Sequence, residues 1–71
     1  MSTYEFEIGD VVSWNSEAGH VSGRIAAIHD APFLVNGYRH HATPDEPQYE
    51  IVSLKTGHVA FHKGSALRRT A

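Results

Sequence analysis

Seventy-one residues carry six Lys and Arg against eight Asp and Glu, a formal charge of -2 with the six histidines neutral, and no cysteine. A chain this short closes one small core, which excludes a second domain, and the lack of cysteine excludes disulfides, thiolate chemistry and cysteine zinc sites. The acidic balance runs against general nucleic-acid binding, which draws on an excess of Lys and Arg to displace condensed counterions.

The opening MSTYEFEIGD mixes acids with isolated apolar residues. It lacks the apolar run of a leader or a membrane span, so the expectation is a cytoplasmic protein with no membrane contact. Phe6 to Ile8 leads through a Gly9-Asp10 turn into VVSW, the first strand. There Val12 and Trp14 share one face, with Val11 and Ser13 on the other. A polar connection, NSEAGH, offers Gly19 for a positive φ and feeds VSGRIAAIH. In that second strand Ile25 and Ala27 alternate with Arg24, Ala26 and Ile28.

Pro32 interrupts the pattern, and Phe33 to Val35 with Tyr38 to Ala42 read as a hairpin or bent strand around Asn36-Gly37, a pair suited to a type I′ turn. TPDEP packs two prolines and two acids into five residues, which marks an exposed loop. QYEIVSL and HVAFH then flank Lys55-Thr56-Gly57 and predict a tight hairpin of the fourth and fifth strands, with Gly57 at the positive-φ position. Gly64 and Ser65 can cap one short 3₁₀ turn that carries Ala66 and Leu67 over the end of the fold. ArgArgThrAla is expected to fray.

Short strands with turn signals at nearly regular intervals predict an all-β fold, a small closed barrel of five strands with a short C-terminal 3₁₀ turn, because closure removes exposed sheet edges. The whole chain, residues 1–71, forms this single domain, with a core from about residue 6 to 69. GDVVSW, GRIAAIH, PQYEIVSLKTG and HKGSALR, in that order, closely resemble the hypervirulence-associated Tudor-like domain family. The resemblance implies a small SH3-like barrel and carries no established biochemical activity; fold analogy alone does not supply one. A fainter similarity, to the type II dihydrofolate reductases, covers the GD-x-V opening and the late strand, turn and Ala-Leu ending. Where those enzymes carry a V-Q-I-Y stretch that contacts substrate, this chain has Val59, Ala60, Phe61 and His62, so the resemblance does not bring the activity with it.

Trp14, Phe33, Tyr38, Tyr49 and Phe61 could line a cage for a methylated cation, since ring faces attract cations. Strand phase instead assigns Trp14, Tyr49 and Phe61 to the core, beside Val12, Ile51 and Val59. Phe33 and Tyr38 lie near loops and are the better contact residues. His58 and His62, four apart in a strand, span roughly 13 Å and cannot chelate one metal alone. A composite site with His40 or Glu46 has no supporting ligand spacing, so no metal and no cofactor are expected. There is no nucleophile elbow, phosphate-binding glycine loop or paired carboxylate motif, and an enzyme is not expected. Asp45 and Glu46 read as a solvated turn.

The expectation is a non-enzymatic binding module for a protein or peptide, with Phe33, Tyr38, His40, His62, Lys63 and Arg68 as its surface. Open strand edges can accept an extended peptide without any side-chain motif, and self-association is compatible with this reading. The alternative is RNA or single-stranded DNA, held by loop aromatics and the basic cluster of Lys63, Arg68 and Arg69 with His62 nearby.

Overall fold

A computed structural model describes residues 4–17 and 19–70. Met1–Thr3 of the opening, Ala18 of the first connection and the terminal Ala71 lie outside them. The described strands are β1 (Val11–Ser16), β2 (Gly19–His29), β3 (Phe33–Val35), β4 (Tyr38–His40), β5 (Gln48–Ser53), β6 (Val59–Lys63) and β7 (Arg68–Arg69). A 3₁₀ turn at Gly64–Ala66 precedes β7, where the sequence places it. The class is all-β, as expected.

The main sheet runs β6-β5-β2-β1-β7, and every pairing in it is antiparallel. It has five strands, yet it does not close into the expected barrel, because β3 and β4 pair only with each other as a separate hairpin. The reason lies in the flanks: these strands are three residues each, and Pro32, Pro44 and Pro47 lack the N–H that a longer ladder would use. The Thr43–Glu46 loop closes on itself instead, each residue's N–H donating to the other's carbonyl at 3.1–3.2 Å. Asn36 and Gly37 hold φ of 50° and 80°, positive at both central positions as a type I′ turn requires.

The expected frayed tail is also corrected. Arg68 and Arg69 pair with Ser13 and Val12, and Thr70 N–H donates to Val11 O at 3.3 Å. Buried Leu67 anchors this strand, and the Arg69 guanidinium donates to Glu5 O at 2.9 Å while lying 5.6 Å above the Phe6 ring. Side-chain contacts outweigh terminal fraying here.

Phe6, Val12, Trp14, Ile25, Tyr49, Ile51 and Leu67 form the core on one face of the sheet. Phe6 meets Tyr49 edge to face at 5.4 Å. Trp14 and Tyr49 are therefore core residues, as strand phase predicts, whereas Phe61 is not. Across the β5–β6 ladder Ala60 stands opposite Ile51 and Phe61 opposite Glu50. The inner position falls to Ala60, and Phe61 projects from the outer face.

A second phase change sits in β2. Ile25 pairs with Ile51, Ala27 with Glu50 and Ile28 with Tyr49, so the register slips between Ile25 and Ala27 and Ala26 is the extra residue of a bulge. Strict alternation puts Ile28 opposite Ile25; the bulge returns Ile28 to the core and turns His29 to the outer face.

Gly23 marks the tightest point of the sheet. A Cβ there would stand 2.6 Å from Ile51 Cγ2, 2.7 Å from Val52 O and 3.1 Å from the Trp14 ring. The indole packs into the space that the missing side chain leaves. Gly23→Ala must therefore displace backbone, and the expected cost is about 1–3 kcal/mol. In a domain this small that lowers Tm by roughly 5 °C or more, read by thermal denaturation.

Candidate functional site

The outer face of the sheet carries a second aromatic group. His29, at the end of β2 beyond the bulge, sets its Nε2 2.9 Å from Glu50 Oε1 on β5. Phe33 stacks on the His29 ring at 4.0 Å and 17°, and His40 stacks on Phe33 at 5.0 Å and 14°. Phe61 of β6 touches all three, with centroids 5.2–6.0 Å away. Tyr38 stands edge-on to His40 at 5.2 Å. No ladder joins the hairpin to the sheet among the described residues; ring contacts hold it there.

This arrangement decides the cage question for Phe33. Two imidazoles stack against it, at 4.0 and 5.0 Å, so the ring is engaged by its neighbours rather than held open for a cation. Tyr38 does remain open, at 70% exposure. A different hollow, of about 570 Å³, is bounded by Trp14, Val21, Leu54 and Ala60 with His20 and His58. Trp14 is its one Trp, Tyr or Phe ring among the described residues, too few for a multi-sided cage.

The hairpin leaves a groove between β4 and β6, with a volume of about 590 Å³. Tyr38, Arg39, His40 and His41 line one side and Phe61, His62 and Lys63 the other, with Gln48, Ser65 and Ala66 completing it. Four of the sequence-predicted surface residues, Tyr38, His40, His62 and Lys63, thus meet in one place. Phe33 lies behind it under His40. Arg68 does not join them, since β7 sits at the far edge of the sheet beside β1.

Both sides of the groove are strand edges. Ser53 N–H donates to His58 O at 2.8 Å, which fixes the alternation along β6. By that alternation Ala60 and His62 bond to β5, while Val59, Phe61 and Lys63 turn their N–H and C=O outward. On β4, the two-residue turn makes Val35 and Tyr38 a bonded pair, so Arg39 presents its backbone groups on the side away from β3.

The basic cluster is dispersed. Lys63 Nζ is 3.1 Å from Glu46 Oε2, and Arg69 reaches Asp10 Oδ2 at 3.5 Å in addition to its carbonyl and ring contacts. Arg24 donates to Gly9 O at 2.8 Å. Glu46, expected as part of a solvated turn, is a partner of Lys63. Among the described residues no three His, Asp or Glu side chains converge as metal ligands would.

His29 and Glu50 are site residues that the sequence pattern does not single out. For His29 a signal exists. Ile25 and Ile28 are three apart, and in a strand both reach the core only if one intervening residue is bulged out. The two alanines between them mark where that happens.

A family model described as the TUDOR domain of hypervirulence associated proteins matches residues 9–67. The chain belongs to this family. No curated protein and no solved structure matches it at a significant level. In this Tudor domain the match runs from the Gly9 turn through Leu67, so it takes in the groove and the ring stack as well as the core.

Two measurements test the geometry. Phe33→Ala removes the centre of the stack, and the expected loss is about 2–4 kcal/mol with faster amide exchange at Tyr38–His40. His62, whose ring lies 5.2 Å from Trp14, has its pKa lowered from 6.5 by burial. Its neutral form is the one the fold favours, so that stability is complete above 6.5 and falls as pH drops from there through the lower folded value. Tm measured from pH 7.5 down to about 5 should decline in the wild type, and His62→Gln should flatten part of that slope.

Proposed function

We propose that this chain is a non-enzymatic cytoplasmic binding module that takes an extended segment of a partner protein into the groove between β4 and β6. The observation that carries the proposal is that one groove is walled by two strand edges, each with backbone donors and acceptors not used by its own ladder. An added strand would bond to the open edge of β6, with β4 beside it. Tyr38 and Phe61 supply apolar surface beside it. Family membership supports a small binding module in general and names no target. No described helix is long and apolar enough to cross a membrane.

The competing reading is RNA or single-stranded DNA. It draws on Lys63, Arg68 and Arg69, but of the three only Lys63 lines the groove, while Arg68 and Arg69 sit on β7 beside β1 with Arg69 turned to Glu5 O and Asp10, so few cations gather in one place to replace the counterions of a phosphate backbone.

Two variants and two columns separate these readings. Lys63 has φ of -74°, a value proline adopts freely, and its N–H points away from β5. Lys63→Pro should leave Tm within a few degrees of wild type and abolish capture of protein partners from the native cell. Tyr38→Ala should weaken capture with Tm nearly unchanged, because its side chain is 70% exposed. The wild type should pass through heparin and single-stranded DNA columns at about 50 mM salt and pH 7.5. Retention there, with capture unaffected by Lys63→Pro, would overturn strand addition in favour of nucleic acid.

A further inference from the structure

Resting on the groove as the docking site, we infer that its partner is an acidic extended segment, with an Asp or Glu two positions from an apolar residue. The charge distribution carries the first half. The chain has more acids than bases overall, yet the groove is lined by two cations, Arg39 and Lys63, and by no carboxylate. The nearest acids lie outside it. Glu46 reaches Lys63 from the proline loop, and Glu50 stands behind the ring stack against His29. On the other side of Lys63, a hollow of about 400 Å³ is lined by Glu5, Asp45 and Glu46, so the surface changes sign across this one residue.

Strand geometry carries the second half. Phe61 and Lys63 are two apart on β6, so their side chains leave the same face. A strand laid along that edge places two of its own alternate residues directly across from them. The residue across from Phe61 meets an aromatic ring and is favoured when apolar. The residue across from Lys63 meets an ammonium and is favoured when acidic. Lys63 is free to accept it at little cost, because its pair with Glu46 is half-exposed or more on both sides, and such pairs contribute little. Arg39, which lines the groove from β4, adds a second cation there. Like charges across such an interface are penalised, so a basic segment is discriminated against as well as less attracted.

The test uses the full chain, labelled for amide NMR, and three soluble peptides. The first repeats Val-Thr-Glu-Thr, which sets each acid two positions from an apolar residue. The second replaces Glu by Lys. The third keeps Glu and replaces Val by Pro, which stays apolar and removes the backbone donors that a strand paired with β6 turns toward Phe61. The expected result is that the acidic peptide shifts the amides of Arg39, Phe61 and Lys63 and binds about tenfold more tightly than the basic one. The proline peptide should not shift them. Arg39→Glu, at an exposed position, should keep the wild-type Tm and narrow or reverse the preference.

Equal binding of acidic and basic peptides at those amides would overturn the acidic preference and leave strand capture standing. Equal binding of the proline peptide would show that charge alone holds the ligand and would overturn strand capture itself. If no peptide moves the three amides while single-stranded DNA does, both the groove reading and the acidic inference fall to a nucleic-acid ligand.

Discussion

The bulge between Ile25 and Ala27 fixes which face of the sheet each residue beyond it serves. Before it, β2 supplies Gly23 and Ile25 to the core; after it, Ile28 takes the inward position and His29 the outward one. Without the extra residue the period of two would send His29 into the core and Ile28 to the surface, reversing the preference of both. His29 is the base on which Phe33 stacks, Phe33 positions His40, and His40 is one wall of the groove. A single register slip therefore connects the packing of the core to the placement of the hairpin.

The two faces of the sheet are stabilised differently. Inside, Val12, Ile25, Tyr49 and Ile51 are almost fully buried, and Gly23 lets Trp14 close over them. Removing this apolar area from water is the main source of stability in a small domain with no disulfide. Outside, the hairpin is attached through rings that remain partly exposed, each pair contributing about 0.5–1.5 kcal/mol. The His29–Glu50 contact adds a hydrogen bond at the base of that stack. An attachment of this kind is weaker per residue than a ladder, and it leaves backbone groups on β4 and β6 uncommitted. The groove follows from the way the hairpin is fastened.

Much of this is legible in the residues. Asn36-Gly37 announces the β3–β4 turn and Lys55-Thr56-Gly57 the β5–β6 hairpin, because each turn demands specific backbone angles that few residues adopt. Alternation places Val12, Trp14, Tyr49 and Ile51 in the core for the same local reason. What fails is whatever depends on a one-residue phase or on distant contacts. Phe61 reads as inward because it shares a face with Val59, yet which face is inner is decided by Ala60 meeting Ile51 across the ladder. Arg68 and Arg69 look like a solvated tail until Leu67 is buried and Glu5 and Asp10 are brought beside them. Of the surface residues, Phe33 and Tyr38 are picked out by their place near loops, and of these Phe33 is taken up in the ring stack while Tyr38 stays open. The meeting of Tyr38 and His40 with His62 and Lys63 is a property of the tertiary fold.

An open sheet edge is a hazard as well as an opportunity, since unpaired strand groups recruit other chains without discrimination. In this domain the hazard is confined. β6 is only five residues long, Lys63 places a charge at its end, and the hairpin stands over its outer face through Phe61. A strand approaching β6 must enter beside β4, in a groove only a few residues long and bounded by cations and aromatic rings. Those walls penalise a second edge that brings its own Lys or Arg, including the chain's own β6 and β7. The features that keep the edge from pairing at random are thus the ones on which the proposed docking would draw.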